Sequence, residues 1–96
     1  MASPLAPVRR AVADFLAGGP HAPLRAAVMD AAPDVDDDPG LDDAERDWFD
    51  ELYDAVAMSA DDPVEPARAR AGVVGAGALR GQLREAGLDR FPATPG

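Results

Sequence analysis

The residues with the clearest chemical potential in this sequence are carboxylates, and one group of them has the spacing of a calcium loop. Positions 1, 3, 5, 9 and 12 of an EF-hand loop are matched by Asp34, Asp36, Asp38, Asp42 and Glu45. Position 6 of such a loop requires a glycine in a left-handed turn, but Pro39 stands there and Gly40 follows one residue too late. An EF-hand-like calcium module is therefore kept as an alternative hypothesis, and no other metal or cofactor is expected.

Acidic residues are concentrated in one segment, residues 30–65, which we call the acidic block. It holds fifteen of the eighteen acidic residues and one base, Arg46, so its formal charge is −14, within a chain of net charge −9. The flanks carry about +2 and +3. A block of one sign creates a field that attracts basic proteins and repels nucleic acids and anionic membranes. We therefore expect a basic protein partner.

Residues that serve as nucleophiles or bases are scarce. The chain has no cysteine and one histidine, His21, predicted to lie in a turn, so thiolate sites and histidine pairs are excluded. None of the few hydroxyl side chains has a base beside it in sequence. Aspartates on a solvated helix are also poor general acids. We predict that the protein is not an enzyme.

The elements that position the carboxylates are helices, according to the apolar periodicity and the glycine and proline positions. Four are predicted: Ala6 to Ala17, Pro23 to just before Pro33, Asp42 to near Ser59, and Ala76 to Ala86. Residues 34–41 form an acidic loop, and residues 60–74 a connection with a short turn around 67–71. Asp42 and Glu45 match a capping box, and Gly87 fits the end of a Schellman motif.

Short loops between amphipathic helices favour an all-α fold, a compact antiparallel bundle of about four helices. It forms a single domain over residues 1–96, with flexible termini at about 1–4 and 92–96. The centre of its core is predicted from the large apolar residues, which are Phe15, Leu16, Leu24, Trp48, Phe49, Leu52 and Leu83.

The third helix separates its apolar and acidic residues onto opposite sides, at 100° per residue. A face kept for solubility normally mixes charge signs, whereas here only Arg46, directed toward Asp42 and Asp50, offers relief. We therefore predict a partner-binding surface, with a solvated face as the alternative. Its residues are Asp43, Asp47, Asp50, Glu51, Tyr53, Asp54, Asp61 and Asp62.

Three short segments resemble a known family. They are Phe15-Leu16-Ala17-Gly18, then Trp48-Phe49-x-x-Leu52-Tyr53-x-x-Val56 followed by Asp61-Asp62-Pro63, and Gly75-x-x-x-Leu79-Arg80-x-x-Leu83. In these the chain is similar to the small acidic helical proteins that protect bacteria from nuclease bacteriocins, nearest to the colicin D immunity type. The resemblance implies a helical bundle whose acidic surface docks into the basic cleft of a toxin, in place of phosphates.

The leading hypothesis is thus a bacterial immunity or antitoxin-like inhibitor of a basic effector, a nuclease toxin domain. A non-catalytic accessory domain, or a homodimer, is the other alternative beside calcium binding. Nucleic acid is not an expected partner, because the basic flanks are sparse and lack interleaved aromatic residues. No apolar run is long enough to span a membrane, and Arg9 and Arg10 follow the first apolar residues, unlike in a secretory signal. We expect a cytoplasmic protein.

Overall fold

The computed structural model describes residues 4–60 and 64–90, and this part of the chain is all-α, as predicted. Its helices are α1 (Ala6–Leu16), α2 (His21–Asp37), α3 (Asp43–Ala57), α4 (Pro66–Arg70) and α5 (Ala76–Glu85). Helix α1 packs on α2, α2 on α3, and α3 on α5. The short α4 occupies the place of the predicted turn. Within the described ranges, no helix is both long enough and apolar enough to cross a bilayer.

Helix α1 ends in a Schellman motif that returns the chain toward α2. Gly18 has a φ of +108° and donates to the carbonyl of Phe15 at 3.1 Å, and Gly19 donates to that of Asp14 at 2.9 Å. A Cβ on Gly19 would lie only 2.7 Å from the Asp14 oxygen. The double glycine is therefore required for this close return.

Helix α2 is longer than predicted at both ends, because it begins at His21 and continues through Pro33 to Asp37. Proline has no N–H to donate within the helix. The helix continues nevertheless, since Val35 is buried with 2% exposure and extends the apolar stripe of Leu24, Val28 and Ala31. The predicted loop 34–41 is consequently wrong, and the α2–α3 connection is residues 38–42.

Helix α3 has the predicted capping box. The Asp42 carboxylate accepts from the Glu45 N–H at 2.8 Å, and the Glu45 carboxylate accepts from the Asp42 N–H at 3.4 Å. One side of the helix is buried and consists of Trp48, Phe49, Leu52 and Val56. The cap and the buried side together fix the orientation of the opposite, polar side.

Helix α5 ends in the predicted Schellman motif, with Gly87 at a φ of +74° and Leu88 donating to the carbonyl of Leu83 at 2.8 Å. The indole N–H of Trp48 donates to the carbonyl of Leu88 at 3.1 Å, which joins this motif to α3. The predicted core is confirmed except for Leu16, which packs against it while only partly buried.

Two arginines of α5 bind the carboxyl-terminal end of α1. Arg80 donates to the carbonyls of Phe15 at 2.9 Å and Gly19 at 2.7 Å, and its guanidinium carbon lies 4.6 Å from the Phe15 ring centroid. Arg84 donates to the carbonyl of Leu16 at 3.0 Å. Carbonyls in the last turn of a helix lack the usual N–H donor four residues ahead, and cations are favoured at a helix carboxyl terminus. The predicted flexible termini lie almost wholly outside the described residues.

Candidate protein-binding surface

The solvent side of α3 carries a row of carboxylates that we call the acidic face. It consists of Asp43, Asp47, Asp50, Glu51 and Asp54, all of which are exposed. Their spacing of three or four residues places them on the side opposite Trp48 and Leu52. The sequence-based placement of these five residues is therefore confirmed. Asp61 and Asp62, predicted to belong to the same surface, lie outside the described residues.

The acidic face has no cationic partner in the described part of the chain. The ion pair of the described chain joins Arg9 of α1 to Glu45, with 3.6 Å between Nη2 and Oε2. It does not involve any residue of the acidic face. Like charges four residues apart on one helix repel by about 0.2–0.5 kcal/mol per pair. The repulsion along this face is therefore relieved only by solvent and ions, or by a molecule that binds there.

Arg46 does not relieve that repulsion in the way the sequence suggested. Its side chain is directed away from Asp50, toward the end of α2, where it donates to the backbone carbonyl of Asp38 and, at 3.4 Å, to that of Leu41. Those groups lie just beyond the last turn of α2, which contains no base. Arg46 is thus a cap for α2, and its charge sits at the negative end of that helix.

Glu45 differs from the acidic face although it lies on the same helix. It is buried with 6% exposure, pairs with Arg9, and completes the capping box with Asp42. Its carboxylate therefore links α1 to the start of α3. A buried carboxylate with these partners has a structural role.

The residues of the predicted calcium loop occupy different local structures. Asp34 and Asp36 are exposed on α2, and Asp38 follows it and accepts from the Gly40 N–H at 2.7 Å. Asp42 is the N-cap of α3. Within residues 4–60 and 64–90, no three acidic or histidine side chains are grouped as a metal site would require. The predicted loop conformation is wrong because α2 extends through its first ligand positions.

Two large apolar side chains are exposed in the second half of α3 and directly after it. Tyr53 is 36% exposed, and its ring centroid lies 6.3 Å from that of the buried Phe49. Met58, directly after α3, is 46% exposed. Tyrosine and methionine are enriched in the cores of protein interfaces. Both side chains are thus accessible to a partner that binds α3.

A histidine–serine contact was not foreseen from the sequence. His21, predicted to lie in a turn, is the first residue of α2 and is buried with 3% exposure, 2.7 Å from the Ser59 hydroxyl. That hydroxyl donates to the Val56 carbonyl at 2.7 Å, so the Nε2–H of His21 is the donor between the two side chains. Such a pair holds α2 against the end of α3, and its hydroxyl is not positioned as a nucleophile.

Comparisons of the chain with protein-family models, with curated proteins and with solved structures gave no match.

Proposed function

We propose that this protein is an immunity or antitoxin-like inhibitor that binds a basic effector, a nuclease toxin domain, through the acidic face of α3. One observation carries the proposal, namely five exposed carboxylates on one side of a capped helix without an arginine partner in the described chain. Because all five side chains are negatively charged, the partner that they would bind is cationic. Tyr53 and Met58 supply apolar contacts beside the charges.

A nuclease is the basic partner that fits this surface best on physical grounds. Its cleft must be positive to hold a phosphate backbone. Helix α3, with fifteen residues, is about 22 Å long and presents carboxylates along that length. A row of carboxylates of this kind competes directly with phosphates for the basic side chains of the cleft.

The same electrostatics predict how the complex behaves. Opposite fields accelerate association, and salt screens them, so that affinity and association rate should both fall as ionic strength rises. Binding would also relieve the repulsion along the acidic face. An inhibitor of this kind acts in the cytoplasm of the bacterium that makes the toxin, which is where we place the protein.

The test begins with affinity capture from a lysate of the producing organism, with chelator present, at low and high salt. A captured basic protein is then purified and assayed for cleavage of RNA and DNA while the chain is added. We expect inhibition that saturates at one chain per effector. We also expect the triple substitution Asp47→Asn, Asp50→Asn and Asp54→Asn to abolish both capture and inhibition.

A matched control carries the same change in net charge at exposed positions outside the acidic block. It combines Asp14→Asn, Glu85→Gln and Asp89→Asn. We expect this control to inhibit like the original chain. If both triple variants lose inhibition equally, then net charge and not the acidic face determines binding. If the acidic-face variant inhibits normally, the site is wrong, and if the captured protein has no nuclease activity, the inhibitor function is wrong.

A further inference from the structure

An open groove of about 540 Å³ lies along α1 and the turn to α2, and it takes no part in the proposed effector binding. Its walls are apolar and come from Ala6, Pro7 and Ala11 of α1 and from Pro20 and Pro23 at the start of α2. Phe15 forms part of its lining. The volume lies within the roughly 300–1,000 Å³ of small-molecule sites, which are mostly apolar with a few polar groups.

The polar groups of the groove are one cation and one anion, Arg10 and Asp14. They are exposed, one helical turn apart on α1, and within the described residues neither forms an ion pair, with the other or with any third residue. The adjacent Arg9 is instead held by Glu45. Four residues along a helix correspond to a rise of about 6 Å. The groove therefore offers one cationic and one anionic side chain, whose Cα positions are one helical turn apart on α1.

We propose that this groove binds a small zwitterion with an apolar body, an apolar dipeptide with free termini. A ligand with only a carboxylate would be repelled by Asp14, and one with only an ammonium by Arg10. A dipeptide carries both charges, and two extended residues span about 6–7 Å, which is comparable to the rise of about 6 Å along α1 between the Cα positions of Arg10 and Asp14. Its carboxylate pairs with Arg10 and its ammonium with Asp14, while its side chains lie on the alanine and proline walls.

The groove is rigid, which favours a small ligand. Prolines at positions 7, 20 and 23 fix φ on its rim, and the Gly18-Gly19 turn closes one end by backbone hydrogen bonds. Arg80 holds the same turn through the Gly19 carbonyl. A preformed site avoids much of the entropy loss of ordering that binding otherwise entails.

The experiment is a titration of the ¹⁵N-labelled full chain with the dipeptide Leu-Phe, followed by amide shifts. We expect shifts confined to α1 and residues 19–23. N-acetyl-Leu-Phe and Leu-Phe-amide, each lacking one charge, should bind up to about fivefold more weakly, the size of an exposed ion pair. No shifts at about 10 mM dipeptide, shifts elsewhere, or binding of either capped form as tight as that of Leu-Phe would overturn the proposal.

Two pairs of variants separate the groove from the rest of the surface. Arg10→Gln should weaken Leu-Phe but strengthen Leu-Phe-amide, whose ammonium is no longer repelled. Asp14→Asn should weaken Leu-Phe but strengthen N-acetyl-Leu-Phe, whose carboxylate is no longer repelled. The controls Arg25→Gln and Asp30→Asn change exposed charges of α2 that do not line the groove. Loss of binding in the controls as large as in the groove variants would show a general charge effect and refute the site.

Discussion

The guanidinium of Arg46, the only base in the acidic block, donates to the backbone carbonyl of Asp38 and so closes the end of α2. A helix end leaves carbonyls without donors, and a cation there also opposes the helix dipole. The single positive charge that could have offset the acidic face is thereby used inside the fold. Within the described residues, Arg46 consequently forms no ion pair with the exposed carboxylates of α3.

Arg46 should therefore stabilise the fold through geometry more than through charge. We expect Arg46→Gln to lower the free energy of unfolding by about 1.5–3 kcal/mol, the value of hydrogen bonds that involve a charged group. Arg46→Lys should lower it nearly as much, because one ammonium lacks the fork that reaches two carbonyls. Urea denaturation measures both. A lysine variant as stable as the original chain would mean that charge alone accounts for the effect.

The acidic face should reduce stability, as a surface kept for binding would. The substitutions Asp47→Asn, Asp50→Asn and Asp54→Asn together remove the three like-charge pairs that lie four residues apart. These are Asp43 with Asp47, Asp47 with Glu51, and Asp50 with Asp54. We expect the free energy of unfolding to rise by about 1 kcal/mol at low salt, or about 4–8 °C in the melting temperature of a domain of this size. The gain should shrink as salt is added.

The control for this measurement is the triple variant at Asp14, Glu85 and Asp89, which has the same net charge. It should gain less, since none of its positions has an acidic residue four positions away on the same helix. Equal gains in the two variants would instead point to relief of net charge as the cause.

Calcium should leave the structure unchanged at about millimolar concentration, the weak end of EF-hand affinity. Binding by the predicted set would require the last turn of α2 to unwind and Glu45 to leave both Arg9 and the capping box. Trp48 lies one turn after Glu45, so its fluorescence reports such a change. A saturable fluorescence shift with calcium, absent with sodium at equal ionic strength, would contradict this expectation and restore the calcium hypothesis.

The parts of the fold that the sequence predicted correctly are those determined by neighbours in the chain. The capping box at Asp42 and the glycine ends of α1 and α5 depend on residues within one turn of each other. The predicted end of α2 is wrong because proline is a typical helix stop, whereas this helix continues through Pro33 to Asp37. The stripe of Leu24, Val28 and Ala31 continues to Val35 across that proline, and this periodicity was the available signal.

Other features could not be predicted, since they depend on how the helices pack. The bond between His21 and Ser59 joins residues 38 positions apart, and Arg80 reaches Phe15 across 65. For the candidate surface, the solvent side of α3 followed from periodicity. The direction of the Arg46 side chain did not, because the end of α2 that it caps had been placed elsewhere.

Pro33 lies inside α2 and destabilises that helix. We expect Pro33→Ala to raise the free energy of unfolding by about 1–3 kcal/mol, because alanine restores a helical donor at an exposed site and removes the ring clash. The larger conformational freedom of alanine in the unfolded chain offsets part of this gain. Thermal unfolding followed by circular dichroism measures it. A lower melting temperature would mean that α2 requires a bend at Pro33.

The two arginines of α5 offer a comparison of one contact type in two environments. Arg80 is partly buried, makes two hydrogen bonds to the end of α1 and stacks on Phe15, whereas Arg84 is exposed and makes one. We expect Arg80→Gln to lower the free energy of unfolding by about 2–3 kcal/mol. Arg84→Gln should lower it by less than about 1 kcal/mol, because water competes for an exposed bond. Urea denaturation of both variants measures the difference. Equal losses of unfolding free energy would mean that the positive charge common to both arginines contributes more than the partly buried hydrogen bonds and ring contact of Arg80.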